Sequence, residues 1–364
     1  MRFGRAAVST GRMDAPAPSR RILLTGASGL LGGELAGRLV DRGHRVTALV
    51  RGRRRITRND GRDLPVTGWP VREPGAVALV GGDVTQVDFG LNDPQAVARD
   101  HDLLVHCAAA TGFDLDPATY RSVNVDGTAH AVGLARRADL PLLHVSTAYA
   151  WGRRDRVVPE TALAGPLDHA NLYEASKADA ERIVEASGLR YAITRPSIIV
   201  GDHATGAIRA FDTFYVVFRL LARGLVRMLP ARRGASLDLV PIDHVAAGLV
   251  DLAERIKEAD GRHLHLVSGA PVNVRRFRDA IAAWPQFARV ELVEPERFDA
   301  SALSPSERRL HDRVLGPYAS YFRHDPRFED AAARAFIGRA CPPTDDAFLR
   351  RLAAYAIHAG FVPA

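Results

Sequence analysis

Short apolar runs alternate with amphipathic helical stretches through residues 21–200, and this alternation limits the possible folds more than any other feature of the chain. The candidate strands span residues 21–25, 45–50, 76–81, 103–107, 142–146 and 191–194. The candidate helices span residues 31–42, 116–138 and 172–186. Strands that alternate with helices in this way form a parallel sheet covered on both faces. We therefore expect an α/β fold.

A glycine-rich turn, TGASGLLG, follows the first candidate strand and opens the first candidate helix. Its glycines are Gly26, Gly29 and Gly32. They permit a tight turn and a close approach of the backbone to a pyrophosphate, which then faces the helix N-terminus. A glycine triplet alone is weak evidence, but a preceding strand and a following helix are the context that dinucleotide binding requires. The turn predicts a Rossmann-type, doubly wound parallel sheet that binds a dinucleotide.

The end of the second candidate strand predicts which dinucleotide is bound. A site selective for NAD usually places a carboxylate there to bind the ribose 2′-hydroxyl. This chain has arginines instead, in the run Val50-Arg51-Gly52-Arg53-Arg54-Arg55. A guanidinium suits a 2′-phosphate, so we expect NADP(H) to be the cofactor and Arg51 to bind it. For Arg53, Arg54 and Arg55, a solvated charged loop is an equally good interpretation.

The pattern changes after Pro196, where apolar-faced helices are predicted at residues 211–223 and 243–257. We expect residues 21–200 to form the dinucleotide-binding domain. Residues 201–364 are expected to form a smaller C-terminal substrate lobe with a helical cap, and residues 237–260 to return to the first domain. Residues 1–20 are rich in Gly, Pro, Ala, Ser and Arg, a composition that predicts a disordered leader.

Composition and charge narrow the functional classes. The chain has a net charge of +7, which either reflects the use of Arg in place of Lys or favours an anionic partner. No nucleic-acid-binding motif accompanies the charge, so we expect no nucleic-acid partner. Two cysteines provide neither a disulfide framework nor a metal site, and no long apolar run predicts a membrane span. His263 and His265 share a strand face without further ligands, so no metal is expected. These features favour a cytoplasmic enzyme.

A tyrosine and a lysine in the motif Tyr173-Glu-Ala-Ser-Lys177 are the candidate catalytic pair. Their spacing places both side chains on one face of a helix, where the ammonium would lower the pKa of the phenol. Tyr173 would then exchange a proton with a substrate near neutral pH. Ser146 and Thr147 follow the fifth candidate strand and supply a hydroxyl that can hydrogen-bond a substrate carbonyl.

These motifs occur together in an order that resembles the extended short-chain dehydrogenases/reductases. The matching segments are TGASGLLG, GGDVT at 81–85, HCAAAT at 106–111, SVNVDGT around Asn124, VSTAY at 145–149, YEASK at 173–177 and RPSIIVG at 195–201. The resemblance implies a catalytic set of Thr147, Tyr173, Lys177 and Asn124, with Asn124 holding a proton-relay water near Lys177. Thr147 matches the catalytic hydroxyl of the family better than Ser146 does.

The same resemblance implies where the ligands bind. The implied cofactor-binding residues are Thr25, Gly26, Ser28, Gly29, Leu30, Leu31, Gly32, Arg51, Asp83, Val84, Ala108, Ala109, Ala110, Lys177, Pro196, Ile198 and Ile199. The implied substrate-binding residues around the catalytic hydroxyl are Ser146, Thr147, Ala148 and Tyr149.

A narrower resemblance, to the thioester reductases and fatty acyl reductases, rests on GDVTQVDFGL, AATGFD, the segment from Gly201 to Gly224 and LDLVPIDHVAAGLV. It implies NADPH-dependent reduction of an acyl thioester, held on coenzyme A or on an acidic carrier protein, to an aldehyde or alcohol. Phe211, Phe214 and Tyr215 would then line the acyl site, although the same helix could simply pack the lobe. Without an adenylation or carrier segment, the chain would act on a thioester delivered by another protein or on a free carbonyl compound.

Two other reactions fit the same motifs. A ketoreductase would use the same catalytic residues on a free ketone. A nucleotide-sugar epimerase or dehydratase would share the fold but usually binds NAD, which the arginines after the second strand disfavour. The oligomeric state, including a possible homodimer, is left open by the sequence.

Overall fold

A computed structural model describes residues 18–52, 54–70, 74–211, 214–287, 290–311 and 315–362. Residues 1–17 of the expected leader, together with Arg53, lie outside this range. Ser19 and Arg20, which the leader prediction included, are held by hydrogen bonds. The Ser19 hydroxyl donates to the Gly43 carbonyl at 2.7 Å, and the Arg20 guanidinium donates to the Glu254 carbonyl at 2.7 Å.

Sixteen strands are formed by the described residues, and the six that were predicted are among them. The strands are β1 (Arg21–Thr25), β2 (Arg45–Val50), β3 (Val66–Gly68), β4 (Val77–Gly81), β5 (Leu103–His106), β6 (Leu142–Val145), β7 (Val157–Val158), β8 (Tyr191–Pro196), β9 (Ile198–Val200), β10 (Met228–Pro230), β11 (Ser236–Leu237), β12 (Leu239–Pro241), β13 (Arg262–Leu266), β14 (Val272–Asn273), β15 (Glu291–Val293) and β16 (Arg327–Phe328).

Eight of these strands form one parallel sheet in the order β13-β8-β6-β5-β1-β2-β4-β3. The chain proceeds from β1 towards β2 on one side and later returns to β5 on the other. The order of the strands therefore reverses between β1 and β5, where Thr25 lies in register with His106. In open α/β sheets, ligands bind in the crevice at the carboxyl ends of the strands beside such a reversal.

Eleven α-helices surround the described part of the sheet or build the C-terminal lobe. They are α1 (Leu30–Asp41), α2 (Pro94–Arg99), α3 (Pro117–Tyr120), α4 (Gly127–Arg136), α5 (Leu172–Glu185), α6 (Phe214–Ala222), α7 (Ile242–Glu254), α8 (Val274–Ile281), α9 (Pro305–Leu310), α10 (Ala331–Ile337) and α11 (Asp346–His358). None of the described helices combines the length and the apolar character needed for a membrane span.

The helices cover both faces of the sheet, which confirms the predicted Rossmann-type fold. On one face, α1, α7 and α10 pack against the strands in a core that includes Leu35, Leu249 and Phe336. On the other face, α2, α4 and α5 enclose a core that includes Val97 and Leu134. Both faces of such strands are buried, so apolar and polar residues do not alternate along them. In the sequence these strands are therefore continuous apolar runs.

The prediction of one continuous helix over residues 116–138 is wrong in one respect, because the observed helix is interrupted. A π-helical turn, Arg121–Asp126, separates α3 from α4. Within it, the Thr128 hydroxyl donates to the Asn124 carbonyl at 2.6 Å, and the Asn124 side chain bonds to the backbone of Ala110. These contacts compete with the regular helical ladder, and π-turns of this kind often mark functional sites.

Residues after 200 are divided between the sheet and a second core. Helix α7 packs against α1, and β13 forms one edge of the large sheet. The second core, which includes Phe218, Phe277 and Phe348, joins α6, α8 and α11. It lies beside the carboxyl end of the sheet, because β12 pairs with β9 directly after β8.

Candidate active site

A cavity of about 840 Å³ lies at the carboxyl end of the sheet, where the strand order reverses. One part of its wall comes from the glycine-rich turn and from the residues that follow β2, β4 and β5. The rest comes from the ends of β6 and β8, from α5 and from the C-terminal lobe. Most of the predicted cofactor residues and three of the four predicted catalytic residues therefore border one space.

The glycine-rich turn leaves no room for side chains. Gly26 has φ +76°, and a Cβ there would lie 2.6 Å from the Ala108 amide nitrogen. A Cβ on Gly32 would lie 2.2 Å from the Gly26 carbonyl oxygen. Helix α1 begins at Leu30 immediately after this turn, so its unpaired amides face the cavity. The turn is a cradle of the shape that a dinucleotide pyrophosphate requires.

The cavity reaches the end of β2, where the cofactor ribose was expected. Arg51 borders it, and its side chain is 71% exposed, with Nη1 3.8 Å from Oδ2 of Asp83. Arg55 is paired with Asp63 outside this site. Asp83 does not border the cavity, but its Oδ1 accepts hydrogen bonds from the Thr85 amide and hydroxyl. Arg51 therefore has a guanidinium that can turn towards a ligand.

Thr147, Tyr173 and Lys177 all border the cavity. Helix α5 begins after Asn171, whose side chain accepts a hydrogen bond from the Glu174 amide at 2.9 Å. This cap places Tyr173 and Lys177 in the first turns of the helix. Thr147 is close enough to the Tyr173 hydroxyl to lower its pKa, and its own hydroxyl donates to the Pro196 carbonyl at 3.4 Å. The position beside Tyr173 supports Thr147 as the matching hydroxyl.

The expected lowering of the Tyr173 pKa is wrong. Burial raises the pKa of the phenol above its ordinary value, and the neighbouring Thr147 only partly opposes this shift. Desolvation disfavours the charged phenolate, and here it exceeds the favourable contacts. A phenol that stays protonated at neutral pH remains suited to donate a proton.

Lys177 is held beneath the cavity by strand β6. Its ammonium donates to the Val145 carbonyl at 2.7 Å and lies 3.4 Å from Nε2 of His144. Burial lowers the pKa of Lys177 to about 8, although Glu181 and Cys107 raise it in part. The ammonium is therefore the main form at neutral pH and is lost in mildly alkaline solution.

Asn124 does not border the cavity. Its amide nitrogen donates to Ser176 Oγ at 2.8 Å and to the Ala110 carbonyl at 3.1 Å, and its Oδ1 accepts from the Ala110 amide at 2.7 Å. Its own carbonyl accepts from Thr128. Asn124 thus ties α5 to the segment after β5, and its role in a proton relay remains a prediction.

The other predicted site residues separate into two groups. Those that border the cavity are Ser28, Leu30, Leu31, Gly29, Val84, Ala108, Ala109, Pro196, Ile198, Ile199, Ser146, Tyr149 and Phe214. Those that do not are Thr25, Ala110, Ala148, Phe211 and Tyr215. Of the second group, Thr25 supports the site from below, since its Oγ1 accepts hydrogen bonds from the amides of Cys107 and Ala108.

Only one of the three aromatic residues expected to form the acyl site does border the cavity. Phe214 is in its wall, whereas Tyr215 is buried and accepts a hydrogen bond from the Gly201 amide. The Phe211 ring stacks on Phe361, with centroids 4.3 Å apart. All three side chains contribute to the second core, in which Phe214 and Tyr215 are buried and against which Phe211 packs. The packing interpretation therefore applies to all three, and Phe214 also borders the cavity.

An aromatic wall that the sequence did not reveal closes the cavity near Tyr173. Phe113 follows β5, and Tyr318, Tyr321 and Phe322 belong to the 3₁₀ helix Gly316–Phe322. The Phe113 ring lies 5.9 Å from Tyr173, 5.1 Å from Tyr318 and 5.9 Å from Tyr321, measured between centroids. The segment AATGFD was a signal for Phe113, but no local pattern linked residues 316–322 to the site.

Glu174 is a second unexpected group at this wall. It is buried beside Tyr173 and accepts hydrogen bonds from the Ala170 amide at 2.9 Å and the Tyr321 hydroxyl at 3.5 Å. Burial raises the pKa of this carboxyl to about 7, although these hydrogen bonds lower it in part. Glu174 thus connects α5 to the C-terminal segment that carries Tyr321.

The neighbourhood of His263 contains more possible metal ligands than expected. Carboxylate oxygens of Glu181 and Glu185 and a ring nitrogen of His263 lie within 4.8 Å of one another. Glu181, however, is bound through both oxygens by the fully buried Arg195 guanidinium, at 2.7–3.2 Å. A cation there would face this guanidinium, so the cluster is better explained as a buried ion-pair network.

Comparison with known families accounts for the arrangement of the site. The sequence profile of an NAD-binding family described as male sterility protein matches residues 24–249, more than half of the chain. The chain belongs to this family. The male sterility family is a branch of the extended short-chain dehydrogenases/reductases, so the predicted resemblance is confirmed.

Curated relatives of this male sterility-type chain include much longer proteins. A hybrid PKS-NRPS synthetase from Thermothelomyces thermophilus is 32% identical over an alignment of 273 residues, and the match covers 68% of this chain and 6% of the synthetase. Fatty acyl-CoA reductase 1 from Gallus gallus is 27% identical over an alignment of 273 residues, and the match covers 62% of this chain and 53% of that enzyme. The chain thus spans a small part of the first relative and about half of the second.

Two solved structures of reductase domains are similar to this chain. The terminal R domain from the myxalamid PKS-NRPS biosynthetic pathway has a TM-score of 0.77 and 25% identity, covering 95% of this chain and 92% of that domain. A thiolation-reductase di-domain from an archaeal non-ribosomal peptide synthetase has a TM-score of 0.70 and 18% identity, covering 94% of this chain and 76% of that structure. The second likeness is one of fold alone.

Proposed function

We propose that this male sterility-type oxidoreductase is an NADPH-dependent reductase of acyl thioesters, held on coenzyme A or on a carrier protein. The observation that carries the proposal is one cavity bordered by the glycine cradle and by Thr147, Tyr173 and Lys177. The likeness to a terminal R domain and to fatty acyl-CoA reductase supports the substrate class.

The residues present fit a dinucleotide, because side chains at Gly26 or Gly32 would fill the cradle. Residues of the turn, together with Ala108, Ala109 and the segment 196–199, would hold it. When bound, the cofactor supplies a hydride. We infer NADPH rather than NADH because Arg51 borders this space and can turn towards a 2′-phosphate, while the Arg51–Asp83 distance of 3.8 Å is long for a hydrogen bond.

The proposed chemistry of reduction depends on the hydroxyl groups of Thr147 and Tyr173. Thr147 and Tyr173 would donate hydrogen bonds to the thioester oxygen and stabilise the negative charge that develops as hydride reaches the carbonyl carbon. Tyr173 would transfer its proton to that oxygen, giving a hemithioacetal. Cleavage of the carbon–sulfur bond then gives the aldehyde and a free thiol, and a second reduction would give the alcohol. The Lys177 ammonium would support proton supply and bind the cofactor ribose.

The substrate side would be formed by the C-terminal lobe, and we infer that residues 201–364 serve this purpose. The aromatic wall of Phe113, Tyr318, Tyr321 and Phe322, together with Phe214, offers apolar surface to an acyl group next to Tyr173. Ser146 also borders the cavity, although its hydroxyl oxygen is buried and has no hydrogen-bond partner among the described residues. An acidic carrier protein as the donor and a cytoplasmic location belong to the same proposal.

A panel of carbonyl substrates tests the proposal. NADPH oxidation would be followed at 25 °C with acyl-coenzyme A thioesters, acyl carrier proteins, aldehydes and ketones, with Tyr173→Phe as the inactive reference. Turnover of thioesters, with release of one thiol per acyl group reduced, is the expected result. Brisk reduction of free ketones without turnover of any thioester would reassign the chain as a ketoreductase.

A further inference from the structure

Two buried histidines lie below the catalytic lysine, and the proposed chemistry does not use them. His106 is the last residue of β5, and His144 is in the neighbouring strand β6. Both side chains are almost completely buried, and their rings stack with centroids 5.6 Å apart and an interplanar angle of 24°. Burial and the nearby Lys177 lower the pKa of both rings, so both are neutral near pH 7.

The hydrogen bonds determine which nitrogen of each ring carries the proton. Thr25 Oγ1 accepts from the amides of Cys107 and Ala108, so its hydroxyl donates to His106 Nδ1 at 2.9 Å. His106 therefore carries its proton on Nε2. His144 Nε2 faces the Lys177 ammonium at 3.4 Å and must accept from it, so His144 carries its proton on Nδ1.

Neither protonated nitrogen has a hydrogen-bond partner among the described residues. A buried donor without a partner is unfavourable, and apolar residues of similar shape would avoid this cost. Packing alone is therefore a poor explanation for this pair. The contact that uses the polar character of His144 is the one with Lys177.

Lys177 has three N–H donors, and strand β6 accepts two of them. One is directed at the Val145 carbonyl and one at His144 Nε2, so a single donor remains for the cavity that Lys177 borders. Two fixed acceptors determine the direction of the third donor. The other groups that face the ammonium are Glu181 on α5 and Cys107 after β5, and both raise its pKa.

We propose that His144 is a positioning residue, a neutral acceptor that fixes the Lys177 ammonium so that its remaining N–H is directed at the cofactor ribose. The inference rests on the proposed role of Lys177 in binding NADPH. It does not depend on which carbonyl compound is the substrate. His106 holds the other end of the pair, through Thr25, against the segment that carries Ala108.

Variants of His144 that keep or remove the acceptor test this role through NADPH binding, measured by fluorescence titration without substrate. Gln places a carbonyl oxygen near the position of Nε2, so His144→Gln should retain wild-type affinity within about threefold. His144→Leu removes the acceptor and should weaken binding about tenfold, the scale of one hydrogen bond to a charged group. It should also move the alkaline loss of affinity to lower pH, because the ammonium loses a stabilising contact.

His101→Gln is the matched control, since that buried ring bonds Thr47 and Val97 on another part of the sheet. It should reduce thermal stability and leave NADPH affinity and its pH dependence unchanged. An unchanged affinity and pH profile in His144→Leu would show that His144 only fills space and would overturn the proposal.

Nitrogen NMR of the wild-type histidines gives a second test if His144→Leu fails to fold. The proposal requires an Nδ1-protonated, neutral His144 whose Nε2 resonance shifts in Lys177→Met. An Nε2-protonated His144 would also overturn the proposal, as would an Nε2 resonance that does not shift in Lys177→Met. Neither readout involves turnover, so failure of thioester reduction in the substrate panel would be a separate result.

Discussion

Among single residues, Arg51 is the one on which we expect cofactor selectivity to depend most. Arg51→Ala should weaken NADPH binding and leave NADH binding nearly unchanged, because only NADPH carries the 2′-phosphate. We expect a loss towards the lower end of about 1.5–3 kcal/mol, the range for a charge-assisted hydrogen bond, since the side chain is 71% exposed. Titration of both cofactors measures this change. Arg55→Ala, which removes a guanidinium paired with Asp63, is the control. Equal affinities of the wild type for NADPH and NADH would contradict the assignment.

Tyr173 is the residue that we propose as the proton donor. Tyr173→Phe keeps the ring and its contact with Phe113 but removes the hydroxyl, so kcat should fall by roughly 10²-fold or more, the scale of general acid catalysis. NADPH affinity should change little. Tyr191→Phe, at the first residue of β8 and the far end of that strand from the cavity, is the matched control. Retained turnover in Tyr173→Phe would mean that another group donates the proton.

The lowered pKa of Lys177 predicts an alkaline limit. The ammonium is present below its pKa of about 8 and is lost as the pH rises through that value. NADPH affinity should therefore decline above about pH 8. Lys177→Arg keeps a positive charge at all these pH values, so any binding that it retains should lack this decline. A wild-type affinity that stays constant up to pH 10 would contradict the assignment of the limit to Lys177.

At the scale of elements, a glycine-to-alanine substitution should be harmful in the glycine-rich turn and stabilising in helix α4. Gly32→Ala should weaken NADPH binding at least tenfold, because its Cβ would lie 2.2 Å from the Gly26 carbonyl oxygen and force the turn to open. Gly133→Ala meets open space on the exposed side of α4, so it should raise the free energy of unfolding by about 0.5–1 kcal/mol. Cofactor titration and thermal unfolding of both variants measure these effects.

On the whole-molecule scale, the basic surface bears on how a carrier protein would dock. Arg232 pairs with Asp155 at 3.2 Å, so reversing its charge would also disturb the fold. Arg233 is exposed, and none of the described ion pairs includes its guanidinium. Arg233→Glu should raise the KM for an acyl carrier protein and spare a small aldehyde. Rising salt should have the same effect, since exposed charges are screened within about 8–10 Å at physiological ionic strength.

Arg45→Glu is the control for docking, because Arg45 lies at the amino end of β2, opposite the cavity. Equal effects of Arg233→Glu and Arg45→Glu would indicate a general loss of positive charge. No effect of either variant or of salt would contradict docking through this basic surface.

The sequence alone determined the parts of this protein that depend on neighbours along the chain. Apolar runs gave the strands, the glycine triplet gave the turn before α1, and the four-residue spacing of Tyr173 and Lys177 gave one helical face. Each is fixed within a few residues by backbone sterics and helical periodicity. The same reasoning failed for residues 116–138, where a π-helical turn interrupts the helix at Asn124, whose side chain bonds to the distant Ala110 backbone.

Only the tertiary structure decided what surrounds the predicted catalytic pair. The aromatic wall unites Phe113 with Tyr318 and Tyr321, about 200 residues apart in sequence. Packing alone decided that Phe214 borders the cavity as well as the second core, whereas Phe211 and Tyr215 contact the second core without bordering the cavity. The upward pKa shift of Tyr173 and the contact of Lys177 with His144 likewise arise from burial between strands and helices. Desolvation and long-range contacts exist only after the chain has folded, so no local pattern records them.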